Sequence, residues 1–470
     1  MPQPVKPFQK PPTDSPGLIA HFSLPRNSTP SSMGFPNRLR LWGIGGVGMS
    51  ALAQHLHALG HTLSGYDREP SPFTALLESL GIPIDYMART EPPDAVEGII
   101  YTPAIPEDFP EWQWVRQRNL PVWRRGQALA ESVAPFQVIA TAGAHGKTTT
   151  AAILTWLLHA MGDTPYSFVG GLMRNFQRNY VAGTTALAVV EADEYDRALL
   201  LLEPAYAILQ SLDPDHLEIY GSAEALRATY KAFVERVKHL VVAPEGLLDL
   251  GRPLLRYSLQ AYHREGEWTY FTYAWEGRRR EAGWHQLGRH FAENAAAALT
   301  LLEALGYPKD QLLTALPAFS GVERRMEIYT LPDAQVVVSD YAHHPTEVRR
   351  TLEALREGFP RHRLFVFFQP HLFSRTAFFA REFGAALSLA DRVILLPIYA
   401  ARETSTGEVS HRWISQHLAV DFAELLPLET EMRAFLTYQK VPSRPTIWAF
   451  LGAGDIYKFA ELATRILATK

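Results

Sequence analysis

Hydrophobic residues in this chain fall into short runs, and most runs empty into glycine or polar side chains. Residues 39–42 (LRLW) lead into GIGGVGMS at 43–50 and then an apolar helical segment at 51–59. Residues 62–66 (TLSGY) end at Asp67. Runs at 98–101 and 120–123 follow, the second feeding a helical segment that closes near Val133. The pattern restarts at 136–140, with further runs at 186–190 and 206–211 and an amphipathic helix over 224–240. Aromatic and polar residues then alternate over 252–284, as in an antiparallel excursion, before an Ala-rich helix that ends at Leu305. Runs at 336–339, 364–368, 392–396 and 446–450, with helical segments between, make a third set. Apolar strands alternating with helices predict an α/β fold of open sheets, with ligand groups at the C-terminal strand ends. The boundaries this reading sets are a tail over 1–36 and domains over 37–133, 134–321 and 322–470.

The chemistry sits where the runs end. After 136–140 come Gly143, Ala144, His145, Gly146, Lys147, Thr148 and Thr149, and then an apolar helix. Strand, glycine-rich turn, Lys-Thr and helix form a phosphate loop, in which backbone N–H groups and the helix N-terminus favour an anion. Lys147 would reach the β/γ-phosphates and the Thr148 hydroxyl would sit on Mg²⁺. The strict pattern fails at one place, because Thr141 stands where the first glycine belongs. The run at 186–190 delivers Glu191, Asp193, Glu194 and Asp196; carboxylates so close repel one another, and a cation is the natural partner. His216 follows the next strand end in the same way, as a candidate metal ligand. Gly43, Gly45, Gly46 and Gly48, with Asp67 about twenty residues on, fit a nucleotide-type fingerprint that does not name its ligand.

Composition narrows the classes. A chain of 470 residues exceeds one ordinary core, and its 47% hydrophobic and 20% charged residues are globular values. A net charge of −4 leaves no footprint for nucleic acid or an anionic membrane. With no cysteine, disulfides, thiolate metal sites and cysteine nucleophiles are excluded. No apolar run reaches the ~18 residues of a membrane span. The Pro- and Ser-rich residues 1–36 lack the pattern of a signal peptide and are read as disordered, with Met33 as an alternative start.

Nine stretches in order then carry a resemblance to a known family: GIGGVGMS (43–50), SGYD (64–67), GAHGKTTT (143–150), EADEYD (191–196), DPDHLEIYG (213–221), GVERR (321–325), DYAHHPTE (340–347), QPHLFSRT (369–376) and GAGD (452–455). From about Arg38 onward the chain resembles the Mur ligases, ATP-dependent amide-forming enzymes of peptidoglycan synthesis, and most of all their alanine-adding branch. The resemblance implies three domains: a Rossmann-like N-terminal domain, a P-loop ATPase central domain and a Rossmann-like C-terminal domain. The first would bind a UDP-sugar through Gly43, Gly45, Gly46, Gly48, Met49, Ser50 and Asp67. The second would bind ATP through Gly143, Ala144, His145, Gly146, Lys147, Thr148 and Thr149, with Asn294, Arg325 and Asp340 completing the site. The third would close over both and bring the amino acid. The implied substrates are UDP-N-acetylmuramate and L-alanine, joined through an acyl phosphate, with ATP and Mg²⁺ as cofactors. Thr148 and Glu191 would hold one Mg²⁺ and His216 a second. Lys147 and Arg325 would act on the γ-phosphate, with His343 as base and Arg375 near the alanine. The same likeness implies a cytoplasmic enzyme with no nucleic acid, membrane insertion or obligate protein partner.

The chain departs from the family pattern at Ala144 (usually Thr), at Phe291 (usually Asn), at Leu372 (often Arg) and at Arg402 (often Gly). Lys231 occupies the helix on which related ligases carry a carbamylated lysine, and is read as a surface residue. Three alternatives stay open: a recycling ligase that attaches a whole peptide to the muramyl sugar, an NAD-dependent dehydrogenase built on Gly43–Asp67, and an inactive UDP-sugar-binding module.

Overall fold

The computed structural model describes residues 34–93, 95–215, 217–401, 403–405, 407–438 and 444–468. The expectations for residues 1–33, for His216 and for Arg402 lie outside the described residues. Phe35, within the segment read as tail, is buried against His61 and Trp123.

Three sheets follow one another along the chain. The first is wholly parallel, in the order Ile84–Asp85, Thr62–Tyr66, Arg38–Trp42, Gly98–Tyr101, Val122–Arg124. Its central strand is held from below by Arg40, fully buried, which forks onto Glu111 at 2.7 Å and reaches Asp85 at 2.9 Å. Among the described residues the second sheet has nine strands. Its parallel heart is Leu255–Glu265, Leu240–Pro244, Tyr206–Leu209, Gln137–Ala142, Leu187–Glu191 and Tyr166–Met173. An antiparallel meander through Trp268–Trp275 and Arg278–Trp284 extends one edge, and Arg178–Val181 turns back along the other. The third sheet runs Glu327–Thr330, Gln335–Asp340, Thr446–Leu451, Arg363–Phe368, Arg392–Leu395, Phe422–Glu424, antiparallel only at its first pair.

Helices Lys147–Ala160 and Arg289–Ala304 pack together on one face of the second sheet. Ala295, Ala296, Ala297 and Ala298 are all fully buried there, and their small side chains let the helix axes approach closely. This packing presses the phosphate loop against the start of the second helix.

Some elements differ from the sequence reading. The helix expected over 224–240 ends at Arg236, and Leu240–Pro244 is a buried strand. The β-branched Val241 and Val242 favour the strand once parallel neighbours flank it. The hairpin of Tyr166–Met173 and Arg178–Val181 was not expected. Gly170 and Gly171 interrupt its apolar alternation, so its strand character comes from its neighbours.

Candidate active site

The phosphate loop leaves the C-terminal end of strand Gln137–Ala142 at the middle of the second sheet. Gly143 lies at φ +115° and a side chain there would strike the Ser211 backbone at 2.7 Å. Gly146, at φ +82°, is packed so that a Cβ would come within 2.5 Å of Asn294 Oδ1. Thr141 is a fully buried strand residue whose hydroxyl donates to the Lys147 carbonyl at 3.1 Å, steadying the loop where a first glycine would give none. Lys147 Nζ curls back over the loop and donates to the Gly143 carbonyl at 2.8 Å and to Glu194 at 2.9 Å. Burial works against its charge, but Glu194, Asp193 and Glu191 outweigh it and push the ammonium pKa up. Thr148 donates to Glu191 Oε1 at 2.9 Å, and Gly170 N–H donates to Glu191 Oε2 at 2.7 Å.

Beside the loop opens a cavity of about 330 Å³ whose walls come from two domains. His145, Gly146, Thr148, Thr149 and Asn294 line it from the second sheet's side, and Arg325, Asp340 and Glu347 from the third. Asp340 is held by the N–H groups of Met326 and Ala342 and by the Thr351 hydroxyl; burial raises its pKa to about 6. Phe291, the departure noted above, lies on the cavity wall and is itself buried.

Glu347 was not among the site residues read from the sequence, although it closes the motif at 340–347. It is the junction of the two domains. Glu347 Oε2 accepts the N–H groups of His343 and His344, and Oε1 lies 3.3 Å from His145 Nδ1 of the phosphate loop. Arg325 approaches the same oxygen at 3.9 Å. The signal for Glu347 was its place three residues after His344 at a helix start, a capping-box position. His145 Nε2 lies 3.1 Å from Asp213. Burial alone would hold the His145 imidazole neutral, but hydrogen bonds and charge from Asp213 and Glu347 overcome it and push its pKa up to about 9. His343 and His344 are the reverse case, lowered to about 3 and about 4, chiefly by burial. His343 is therefore neutral, with Nδ1 2.9 Å from the Tyr341 carbonyl.

Arg375 is buried and donates to Asp215 at 2.7 Å, tying helix Phe373–Leu387 to the second domain. Leu372 is fully buried at φ +69°, immediately before that helix, whose first N–H groups are capped by Glu403. Lys231 is exposed.

The glycine loop of the first domain is a separate constellation. Asp67 Oδ2 accepts Gly45 N–H at 2.7 Å, so this carboxylate shapes the loop itself. Gly48 packs on Arg125, which pairs with Asp193 of the second domain at 3.1 Å. Met49 is buried in the first domain's core. Ser50 is buried against Asn179, whose Nδ2 donates to its hydroxyl at 2.9 Å and to the Val47 carbonyl at 2.7 Å. The side chains of Met49 and Ser50 thus face inward, toward the core and the hairpin.

Comparison with known proteins follows this three-part division. The model for the Mur ligase family catalytic domain matches residues 39–137. That for the Mur ligase middle domain matches 141–245, and that for the Mur ligase glutamate ligase domain 324–450. A UDP-N-acetylmuramate–L-alanine ligase of Flavobacterium psychrophilum is 35% identical over 433 residues, covering 88% of this chain and 94% of that one. The enzyme of that name from Porphyromonas gingivalis (strain ATCC 33277) is 33% identical, over 92% of this chain and 99% of its own. Among solved structures, UDP-N-acetylmuramate–alanine ligase from Thermotoga maritima superposes with a TM-score of 0.80 at 28% identity, covering 92% of this chain and all (100%) of that one. A murein peptide ligase from Psychrobacter arcticus shares the fold, at a TM-score of 0.70 and 21% identity, over 93% of this chain and 99% of its own. Three family domains matched in order, with relatives of this identity over nearly the whole length, establish that the chain belongs to the Mur ligase family.

Proposed function

We propose that this protein joins L-alanine to the lactyl carboxylate of UDP-N-acetylmuramate and splits ATP to ADP and phosphate. The observation that carries the reading is the cavity in which a phosphate loop meets Asn294 from its own domain and Arg325, Asp340 and Glu347 from the next. The named relatives over about nine-tenths of the chain support the choice of substrates. They name an amide-forming ligase, which favours neither a dehydrogenase nor an inactive module, and the peptide-attaching alternative is met at an identity that speaks for fold alone.

In this reading ATP lies in the cavity with its phosphates on residues 143–149. Lys147 exchanges its hold on Glu194 for the β- and γ-phosphates, and Arg325 meets the γ-phosphate from the third domain. The Thr148 hydroxyl and the Glu191 carboxylate, adjacent and both hard oxygen donors, fit a Mg²⁺ site, with His216 proposed for a second ion. Mg²⁺ would supply charge neutralisation between the two anions that must approach. The lactyl carboxylate takes the γ-phosphoryl group and ADP leaves. The alanine amine then attacks the acyl phosphate carbon, the C–O bond to phosphate breaks, and the amine proton passes to a base. His343 is proposed as that base; burial holds it neutral with a pKa of about 3, so the role requires the anionic substrates beside it to raise that value. Arg375, held by Asp215, is proposed beside the alanine carboxylate. The glycine loop at Gly43–Ser50 would take the UDP-sugar diphosphate on its backbone N–H groups. ATP and UDP-sugars are cytoplasmic pools, so the reaction is placed there.

The test is isotopic. UDP-N-acetylmuramate labelled with ¹⁸O in the lactyl carboxylate is turned over with ATP and L-alanine. One ¹⁸O in the released phosphate, unlabelled ADP and an alanyl amide are expected. Unlabelled phosphate alongside genuine amide would sink the acyl-phosphate route.

A further inference from the structure

The junction between the second and third domains is three residues long in physical terms. Up to Glu323 the chain is stitched to the hairpin of the second sheet: Arg174 N–H donates to Gly321, and Glu323 N–H donates to Leu172 at 2.9 Å. From Glu327 it belongs to the third sheet, through the pairing of Glu327–Thr330 with Gln335–Asp340. Between them, Arg324 and Met326, the latter with its N–H on Asp340, stand at φ +58° and +46°, left-handed backbone that non-glycine residues rarely adopt. Such strain persists where surrounding contacts over-determine it.

Those contacts converge on Arg324. Its guanidinium lies 4.8 Å over the Tyr341 ring and 4.4 Å over the Tyr457 ring. It donates to the Gly454 carbonyl at 2.8 Å, and its own carbonyl accepts Tyr341 N–H at 2.7 Å. Tyr341, Gly454 and Tyr457 all sit on the third sheet's loops or the helix that follows it. The next residue, Arg325, stands 5.0 Å over the same Tyr341 ring and lines the nucleotide cavity. One tyrosine thus serves two adjacent guanidiniums, and only the second faces the cavity.

We infer that Arg324 is a positioning residue, a clamp that fixes the junction to the third domain so that the domain's closure carries Arg325 to the terminal phosphate of ATP. The inference rests on the functional reading above, in that Arg325 acts on the nucleotide. Lysine is no substitute, because an ammonium cannot lie flat on two rings while reaching a carbonyl in a fixed direction. A cavity group displaced by about 1 Å from its working position costs up to about 100-fold in rate.

The test is a kinetic cycle on the whole protein with Arg324→Met, Arg325→Met and the double variant, following ADP release with UDP-N-acetylmuramate, L-alanine and varied ATP. Arg324→Met should lower kcat about 10- to 100-fold, leave the KM for the UDP-sugar within about twofold, and gain little from Arg324→Lys. Because Arg324 acts through Arg325, the double variant should be no slower than Arg325→Met within about threefold. Losses that multiply, or a wild-type kcat in Arg324→Met, overturn the clamp. If Arg324→Met does not fold, Tyr457→Leu withdraws one ring and keeps both arginines. A lowered kcat there supports the clamp and an unchanged kcat overturns it. A wild-type protein that releases no ADP with these substrates overturns the functional reading, and the clamp with it.

Discussion

Lys147 shows how far a single residue's role depends on its partner. It stands in an ion pair with Glu194, whose side chain is only 1% exposed. Breaking a buried pair by deleting one partner costs about 3–5 kcal/mol, because the other charge stays behind. Lys147→Ala should therefore melt at a lower temperature as well as lose more than about 100-fold in kcat. Adding Glu194→Gln should restore much of the melting temperature and none of the turnover. A thermal shift assay beside the ADP assay checks both; unchanged melting in the single variant would show that the pair contributes nothing to the fold. Arg375 makes a parallel case. Arg375→Ala should raise the KM for L-alanine if its fork still reaches the amino acid, and an unchanged KM would confine the residue to Asp215.

At the scale of elements, the hairpin of Tyr166–Met173 and Arg178–Val181 does more than extend a sheet. One strand offers Gly170 N–H to Glu191, the other offers Asn179 to the first domain's helix, and the turn residues hold the junction at Gly321. Gly170 is the tight point: a Cβ there would lie 2.4 Å from Glu191 Oε2. Gly170→Ala should displace the carboxylate that faces Thr148 and lower kcat by about tenfold or more, while the protein keeps its melting temperature, because the strand that carries Gly170 is paired with both Leu187–Glu191 and Arg178–Val181. Wild-type kcat in this variant would mean that the position of Glu191 is not critical. The three sheets were legible from the runs at 39–42, 136–140 and 336–339, because strands covered on both faces are mostly apolar, even where a paired charge such as Arg40 interrupts them. The hairpin was not, because glycines placed for a neighbour's sake erase that pattern.

For the whole molecule, the second and third domains meet in the contact of His145 with Glu347, one residue from each. The other groups facing His145 are Asp213 and the ring of His344, with Arg325 near Glu347. Asp213 and Glu347 overcome burial and push the His145 pKa up from 6.5 to about 9. Its contribution is thus fully present below about pH 6.5 and is lost as pH rises through about 9. His343 and His344, lowered from 6.5 to about 3 and about 4, work in the opposite sense: their contribution is present above 6.5 and lost as pH falls toward those values. The melting temperature should therefore fall between pH 6.5 and 9, and His145→Asn should flatten that limb while sparing the acid one. A limb of equal slope in both proteins would remove His145 from the account.

Read as a string of residues, the chain determined its fold class, the phosphate loop, the acids that follow it and the order of its motifs, because each depends on neighbours a few positions apart. Lys147, Thr148 and Glu191 were proposed that way, and the structure brings the three side chains together at the loop. The tertiary structure decided everything that depends on residues far apart in the chain. Asp67 proved to serve its own glycine loop, Met49 and Ser50 turned inward, and Glu347 met His145 across 202 positions. Arg324 had no role in the sequence reading, and the third sheet brings Tyr341, Gly454 and Tyr457 around it. The physical reason is common to all of these. A carboxylate or guanidinium has the same intrinsic chemistry anywhere in a chain, and what it does is set by the charges, rings and carbonyls that folding brings within a few ångströms.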